Sequence, residues 1–201
     1  MTAAAWLWIA AILAAGLSLA LGVFVLGASE PLPIDVRGEA LRGRGIRAAM
    51  LFTLSGRTLP LACVAAVALA LTFATRSGWK IALAIVAAQL LSQAAVELVK
   101  RFFARTRPLA WLVHEELGFS FPSGHAATGV VFYGSWAILV LHAPLATAPR
   151  LVVAATLVLW ALGIMWSRMA LGAHHATDVI GGALFGGAWA CALWALVIAN
   201  A

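Results

Sequence analysis

Three polar segments in an otherwise apolar chain bring together residue types that suit phosphoryl transfer. They are KRFFARTRP (100–108), FPSGHAATG (121–129) and SRMALGAHHATD (167–178). Together they supply cations, a helix start with a hydroxyl group, histidines and a carboxylate. Cations and backbone N–H groups can neutralise phosphoryl oxygens, while one histidine attacks phosphorus and another protonates the leaving oxygen.

The first segment carries two cations seven residues apart. Lys100 and Arg107 are separated by nearly two helical turns, which predicts that they share one helix face. Pro108 disfavours helix at the residue before it, so we expect the helix to end near Arg107. Cations that merely flank a membrane span at the interface are the alternative.

The second segment has the pattern of a helix start that could bind an anion. Pro122 favours a turn, Ser123 is a good N-cap, and Gly124 lets a ligand approach the backbone. His125 would lie in the first turn, near free N–H groups and the positive end of the helix dipole. An ordinary helix start with a solvated histidine is the alternative.

The third segment places histidines next to a carboxylate. Arg168 can bind a phosphate through two hydrogen bonds. His174 and Asp178 are expected in the first turn of the last membrane helix, four residues apart, and His175 and Asp178 are three apart, so either histidine could contact the carboxylate. An Asp that holds one ring nitrogen frees the other as nucleophile or base. Spacing alone leaves both histidines open, and also the possibility that each is only an interfacial residue.

The elements that position these segments must be membrane helices. Of the 201 residues, 64% are apolar and 10% are charged, with a mean hydropathy of +1.03. Soluble domains are about 45–50% apolar and about 25% charged. We therefore predict an all-α, polytopic integral membrane protein with one domain over residues 1–201.

Six apolar stretches are long enough to be candidate spans. They are Ala3–Leu26, Thr58–Thr75, Trp79–Val99, Ser123–Leu141, Leu151–Trp166 and Asp178–Ile198. The third carries Gln89, Ser92, Gln93 and Glu97, which predicts a position facing the bundle interior. Gly182 and Gly186 in the sixth form a GxxxG pattern that favours close helix contact. Alternating spans put all three polar segments on one side of the membrane, with the active site at that face.

Charge and cysteines exclude some partners. The net charge of +6 comes from short basic segments between apolar runs, so no face is available for nucleic acid, whereas lipid headgroups or phosphate esters fit. Cys63 and Cys191 lie inside apolar runs and are interpreted as buried thiols, without the spacing of a metal site.

The three polar segments resemble the signature of the type 2 phosphatidic acid phosphatase family, which also includes vanadium haloperoxidases. Its pattern is K-x6-RP, then PSGH, then SR-x5-H-x3-D, and every defining position is present here in the same order and spacing. The matching positions are Lys100, Arg107, Pro108, Pro122, Ser123, Gly124, His125, Ser167, Arg168, His174 and Asp178. The six-span layout agrees with the membrane branch of the family.

The resemblance implies a role for each matching residue and selects His174 over His175. It implies that His174 is the nucleophile that forms a phosphohistidine, that Asp178 orients it, and that His125 is the general acid. The phosphate-binding positions implied are Lys100, Arg107, Ser123, Gly124 and Arg168. The family needs no metal, so no cofactor is expected, and His175 is expected only to line the site.

The resemblance implies a lipid phosphatase of a bacterial inner membrane. Undecaprenyl or another polyprenyl diphosphate is the preferred substrate, because the chain has no large domain outside the membrane for a bulky headgroup. Phosphatidic acid, phosphatidylglycerol phosphate and lipid A are the alternatives. Two other classes are considered: a zinc hydrolase using His125, His174, His175 and Asp178, and a non-enzymatic lipid carrier. The haloperoxidase branch, built on soluble chains, does not fit.

The orientation in the membrane gives two conflicting indications. The family analogy implies a site on the periplasmic face, which we prefer. The positive-inside rule disagrees, because ten of the thirteen basic residues lie on the side of the site and three on the other. The segment Ser29–Arg57 could form a surface helix, and it and Leu109–Phe121, with Trp111, Phe119 and Phe121, could shape the substrate entrance.

Overall fold

The regular elements of the chain are helices. The computed structural model describes residues 1–28, 30, 32–108, 113 and 116–200, and no strand occurs in these ranges. In chain order the helices are α1 (Ala3–Gly27), α2 (Pro33–Glu39), α3 (Ile46–Ser55), α4 (Thr58–Ala74), α5 (Trp79–Phe103), α6 (Gly124–Thr128), α7 (Ser135–Leu141), α8 (Thr147–Ala170) and α9 (Ala176–Ala199). A π-helical stretch, Gly129–Gly134, joins α6 to α7.

Five segments of the described chain are long and apolar enough to cross a membrane. They are α1, α5, Gly124–Leu141, α8 and α9. The predicted second span is α4, which has 17 residues and meets the same criteria only together with α3, from which it is bent by 59°. The prediction of an all-α polytopic membrane protein is confirmed, and this multi-pass protein has a sixth span when the bent pair counts as one.

The bundle has a buried centre and an apolar outer surface. Ile85, Phe132 and Ile164 are almost fully buried at the centre. Large apolar side chains such as Leu13 and Phe73 are exposed on the outside, as expected for helices that face lipid chains. The prediction that both cysteines are buried is wrong, because Cys63 is exposed and Cys191 is partly exposed. An apolar run does not imply burial when its helix faces lipid.

The polar residues of α5 face the interior, as predicted, with one exception. Gln89 and Ser92 are buried, and the side-chain amides of Gln89 and Gln93 donate to the Thr128 hydroxyl oxygen at 2.9 and 3.0 Å. Glu97 is the exception, with 58% of its side chain exposed. These contacts tie α5 to α6, whose N-cap is Ser123, as predicted.

Helix α5 ends earlier than the sequence suggested. It stops at Phe103, and Ala104 adopts a left-handed conformation with φ of 47° while its N–H donates to the Lys100 carbonyl. The prediction that Lys100 and Arg107 share one helix face is therefore wrong. The chain leaves the helix because residues after Ala104 contact other segments, as in the 2.8 Å bond from Ser120 N–H to the Arg105 carbonyl.

The boundaries of α8 and α9 also differ from the prediction. Arg168 lies in the last turn of α8 rather than after it, since that helix continues to Ala170. His175 is the N-cap of α9, so His174 precedes the helix instead of lying on its first turn. The loop between them turns at Gly172, whose φ is 67°.

The glycines of α9 allow the close helix contact that GxxxG predicted. A Cβ on Gly182 would lie 3.0 Å from the backbone C and N of Ser123, and one on Gly186 would lie 2.7 Å from the Ala127 carbonyl oxygen. The backbones of α6 and α9 thus touch directly. This contact fixes the Ser123 end of α6 against the start of α9.

The segment predicted as a possible surface helix forms two short helices, α2 and α3. α3 packs on α8, and α2 lies near the start of α9. Both therefore cover the side of the bundle that carries the three polar segments. Phe121 does not line an entrance, because it is fully buried against Phe103 and Val25, whereas Phe119 is 38% exposed. Residues 29, 31 and Trp111 lie outside the described residues.

Candidate active site

His174 lies buried at the meeting point of the three polar segments. Its exposed fraction is 3%, and its backbone N–H donates to the Arg168 carbonyl at 3.3 Å. Its Nε2 lies 3.3 Å from Nη1 of Arg107, and its Nδ1 faces Asp178. One ring nitrogen therefore points to a cation and the other to a carboxylate.

The predicted contact between His174 and Asp178 is close but is not a hydrogen bond. The distance from Nδ1 to Oδ2 is 3.6 Å, beyond the usual limit for such a bond. The Asp178 carboxylate has other donors: the His175 N–H lies 2.9 Å from Oδ2, and Arg105 Nη1 lies 2.5 Å from Oδ1. Catalytic hydrogen bonds are often long without substrate and shorten in the transition state.

His175 has a helix-capping position, and the cation near it is Arg105, whereas Arg107 and Arg168 act on His174. It is the N-cap of α9 and forms a capping box with Asp178. Its side chain is half-buried, and its pKa is lowered, mainly by burial. The backbone of His175 thus helps to hold the Asp178 carboxylate, whereas the imidazole between cation and carboxylate belongs to His174.

The imidazole of His174 is neutral at physiological pH. Burial lowers its pKa to about 4, and the charges of Arg168 and Arg107 act in the same direction, while Asp178 opposes them. The direction agrees with the expectation from the neighbouring cations, although burial is the main cause. A neutral imidazole has the lone pair that a nucleophile needs.

Arg107 is held by backbone carbonyls around the His174 ring. It donates to the carbonyls of Ala173 at 2.8 Å, Gly118 at 3.1 Å and Leu117 at 3.1 Å. It is 8% exposed, so the guanidinium is fixed in a buried position. The same charge lies beside Nε2 of His174, where it can neutralise an oxyanion.

Arg168 already holds a carboxylate. The guanidinium is 1% exposed, donates to the Thr53 hydroxyl, and forms a 2.8 Å ion pair with Glu116 Oε1. Burial alone would raise the pKa of Glu116, but Arg168, and then Arg107 and His174, outweigh burial and lower it. The Glu116 carboxylate is therefore bound to Arg168, the residue that the sequence predicts to bind phosphate.

The start of α6 contributes Ser123, Gly124 and His125. Ser123 caps the helix, with its hydroxyl oxygen 3.4 Å from Ala126 N–H, and its own N–H donates to the Asp178 carbonyl at 2.9 Å. A Cβ on Gly124 would lie 3.9 Å from the Lys100 ammonium. Nε2 of His125 lies 3.2 Å from the Thr53 carbonyl oxygen.

Lys100 lies at the edge of this cluster. It is in the last turn of α5, and its ammonium forms a 2.9 Å ion pair with Glu97. That pair leaves it near Gly124 but directed to an exposed carboxylate. The predicted site residues at the start of α6, at the end of α8 and around the start of α9 therefore lie together, and Lys100 lies at the periphery.

An apolar groove approaches the site between α4 and α5. Its volume is about 380 Å³, and Leu61, Ala65 and Phe132 are among the residues that line it. One end is polar, because Gln93 lines it and donates to the Gly124 carbonyl at 3.3 Å. Gly56 also lines it, and a Cβ there would lie 2.7 Å from His125. The groove therefore ends beside the start of α6.

A known protein family matches the part of the chain that carries this site. The family described as the PAP2 superfamily matches residues 77–201, more than half of the chain. The chain belongs to the PAP2 superfamily. The match includes all three polar segments.

Individual relatives of this PAP2 chain carry phosphatase names. It is 39% identical to phosphatidylglycerophosphatase B of Escherichia coli K12 over 83 residues, which is 41% of this chain and 28% of that protein. It is 39% identical over 88 residues to the Bacillus subtilis protein of the same name, 43% of each chain. It is 32% identical over 202 residues to lipid A 1-phosphatase of Rhizobium johnstonii, covering 87% of this chain and 72% of the relative.

A solved structure shares the fold of this PAP2 chain. It is the crystal structure of a transmembrane PAP2-type phosphatidylglycerolphosphate phosphatase from Bacillus subtilis, with a TM-score of 0.81. The likeness covers 95% of this chain and 97% of that one, at 21% sequence identity. At that identity, the likeness supports the fold alone.

Sequence reasoning missed several residues of this PAP2 site. Arg105, Thr53 and Glu116 contact predicted residues directly, and Asp35 and Thr177 contact Arg105. Arg105 and Thr177 had a weak signal, since they lie inside the first and third polar segments, but Asp35, Thr53 and Glu116 lie in segments without a recognisable pattern. Among the described residues, no three His, Cys, Asp or Glu side chains form a cluster able to hold a metal, so the zinc alternative has no ligand set there.

Proposed function

We propose that this chain is a metal-independent lipid phosphatase that hydrolyses a lipid phosphate or diphosphate through a phosphohistidine on His174. The observation that carries the proposal is the buried, neutral His174 imidazole beside Arg107, in a site that an apolar groove approaches. The groove suits a lipid chain, and the cations suit the phosphate at its end. The phosphatase names of the relatives support the same activity.

The attacking atom in this proposal is Nε2 of His174. Nδ1 faces the Asp178 carboxylate, so it carries the proton, and the lone pair is left on Nε2 beside Arg107. Attack forms an N–P bond and breaks the P–O bond to the lipid. As the ring becomes cationic, the Nδ1–H strengthens its interaction with Asp178.

His125 provides the proton in this proposal. The leaving lipid oxygen takes a proton from the protonated, imidazolium form of His125, and the neutral imidazole that results is the base for the second step. A water molecule then gives a proton to His125 and attacks phosphorus, which breaks the N–P bond and releases inorganic phosphate. Ser123 and Gly124, at the start of the same helix, hold the phosphoryl oxygens together with Lys100, Arg107 and Arg168.

Glu116 must leave Arg168 before phosphate can bind there. The two anions compete for the same guanidinium, so Glu116→Gln should lower the inhibition constant of inorganic phosphate about threefold to tenfold. Phosphate inhibition of purified protein measures this, with Glu39→Gln on α2 as the control. An unchanged constant in Glu116→Gln would mean that Glu116 does not compete with phosphate, and a higher constant would mean that it assists anion binding.

Two lipid classes are the leading substrates. The compact chain favours undecaprenyl or another polyprenyl diphosphate, whereas the relatives' names favour phosphatidylglycerol phosphate or lipid A as phosphate donors. Both classes present a terminal phosphate on an apolar chain, which is the chemistry that the groove and cations share. The natural lipid is therefore decided by a comparison of these substrates.

Phosphate release from purified protein in excess EDTA tests the function. The panel contains a polyprenyl diphosphate, phosphatidylglycerol phosphate, phosphatidic acid and lipid A, with glycerol phosphate as the matched soluble substrate. We expect release from at least one lipid and at least about tenfold less from glycerol phosphate, because the soluble ester cannot fill the groove. No release from any lipid, or release only after metal is added, would overturn the proposal.

We also propose that the protein lies in a bacterial inner membrane with the site facing the periplasm. The relatives with matching names are bacterial proteins. Asp35 on α2 bonds Thr177, so the basic segment that violates the positive-inside rule lies on the same side as the site.

In a variant lacking Cys63 and Cys191, a cysteine placed at residue 40 should react with an impermeant thiol reagent in intact cells. Protection there would reverse the orientation.

A further inference from the structure

Arg105 joins two buried carboxylates next to the nucleophile. Its Nη1 lies 2.5 Å from Asp178 Oδ1 and 2.7 Å from the Thr177 hydroxyl oxygen, and its Nη2 lies 3.1 Å from Asp35 Oδ2. Asp35 and Asp178 are fully buried, and the Arg105 side chain is 13% exposed. Arg105 is not one of the positions that define the family pattern described above.

Asp35 fixes the same group of residues from α2. Its carboxylate accepts the Thr177 N–H at 2.8 Å and the Thr177 hydroxyl at 2.9 Å, so it caps a free N–H in the first turn of α9. Asp35 is far from Thr177 in sequence. The short helix α2 is thereby tied to the start of α9 and to Arg105 at once.

These contacts determine how Asp178 can face His174. Arg105 donates to Oδ1 of Asp178, and the His175 N–H donates to Oδ2. In this orientation Oδ2 also faces Nδ1 of His174. Without Arg105, Asp178 and Asp35 would be two buried carboxylates around Thr177 with no cation between them. Like charges in such a position repel, and the carboxylate would rotate or take up a proton.

We propose that Arg105 and Asp35 are positioning residues that hold the Asp178 carboxylate in the orientation in which it directs His174. The inference rests on the proposed function, in which His174 attacks phosphorus, and it assigns α2 a part in that step. Neither side chain touches the phosphate in this assignment. Their loss should therefore reduce the rate of the chemical step more than the binding of substrate.

The first test compares Arg105→Met with Arg101→Met in the full-length protein. Arg101 is an exposed residue in the last turn of α5, so it controls for loss of one basic residue near the site. We expect Arg105→Met to lower kcat about tenfold to thirtyfold with KM changed less than about threefold. Arg101→Met should leave both near wild type. A change confined to KM, or an equal effect of both variants, would overturn the proposal.

A binding measurement separates positioning from turnover. Orthovanadate accepts a fifth ligand from a correctly placed imidazole, whereas inorganic phosphate measures anion binding alone. We expect Arg105→Met to weaken vanadate binding about tenfold while phosphate binding changes less than about threefold. If the ratio of vanadate affinity to phosphate affinity changes but the wild type hydrolyses no lipid, the positioning role stands and the phosphatase function is rejected. Hydrolysis by the wild type with an unchanged ratio would reject the positioning alone.

Two further variants guard against simple misfolding. Arg105→Lys keeps the charge but loses the planar fork, so it should recover part of the rate. Asp35→Asn keeps the bond from Arg105 to Asp178 and should have a smaller effect, and the double variant Asp35→Asn/Arg105→Met should be no slower than Arg105→Met, because the residues act in one chain. Monodisperse elution and thermal melting check the fold. If the two substitutions caused additive losses of rate in folded protein, Asp35 and Arg105 would act on Asp178 independently, which contradicts the proposal.

Discussion

Replacement of His174 by glutamine should reduce lipid phosphate hydrolysis by roughly 10⁴-fold or more. Nε2 of His174 is the buried ring nitrogen beside Arg107, and glutamine offers no lone pair of comparable nucleophilicity there. Phosphate release in EDTA measures the loss. In wild type, a rapid acid quench should destroy the adduct, whereas an alkaline quench should preserve a phosphoryl group on His174, as expected for an N–P bond.

The neighbouring histidine provides the matched control. His175 is the N-cap of α9, and His175→Gln keeps a polar side chain and the backbone N–H that bonds Asp178. We expect His175→Gln to retain activity within about fivefold of wild type. Full loss in His175→Gln with activity in His174→Gln would reverse the assignment of the nucleophile. Equal activity in both variants would exclude a histidine intermediate at this position.

Gly182→Ala should have the second-largest effect, although the residue carries no functional group. The added methyl would lie 3.0 Å from the backbone C and N of Ser123, and backbone in a helix contact cannot move as a side-chain end can. The start of α6 would shift away from α9. We expect activity to fall on the order of 100-fold and the melting temperature to fall by roughly 4–10 °C.

Gly187→Ala is the control on the same helix. No heavy atom lies within 4 Å of a Cβ on Gly187 among the described residues, so the substitution adds a methyl without a clash. Its activity and melting temperature should match wild type or rise slightly, because alanine favours helix. If Gly182→Ala behaved like Gly187→Ala, the α6–α9 contact would not be what positions Ser123.

The spans could be predicted from sequence because lipid imposes a simple rule. A segment that crosses the membrane must bond its own backbone and expose apolar side chains, so length and composition identify it. The predicted starts at Ala3, Thr58 and Trp79 agree with the helices. The cysteines show the limit of this rule. Cys63 lies in an apolar run yet is exposed, because composition does not distinguish a lipid-facing position from a buried one.

The early end of α5 could not be predicted from local sequence. Pro108 indicated an end near Arg107, but the helix stops at Phe103, and Arg105 then reaches Asp178 in α9. That contact joins residues 73 positions apart. No local pattern contains such a pairing, so helix propensity was overridden by a charge interaction between distant segments.

The sequence by itself determined the membrane architecture and the set of residues available for phosphoryl transfer. The motif spacing between Lys100 and Asp178, and the family resemblance that rests on it, identify those residues without the structure. The tertiary structure decided what surrounds them: Asp35 and Arg105 around Asp178, Glu116 on Arg168, and the glycines of α9 against Ser123. The physical reason is that local spacing reports which residues share a short segment. Buried charge pairs and backbone contacts depend on segments that meet only when the bundle is assembled.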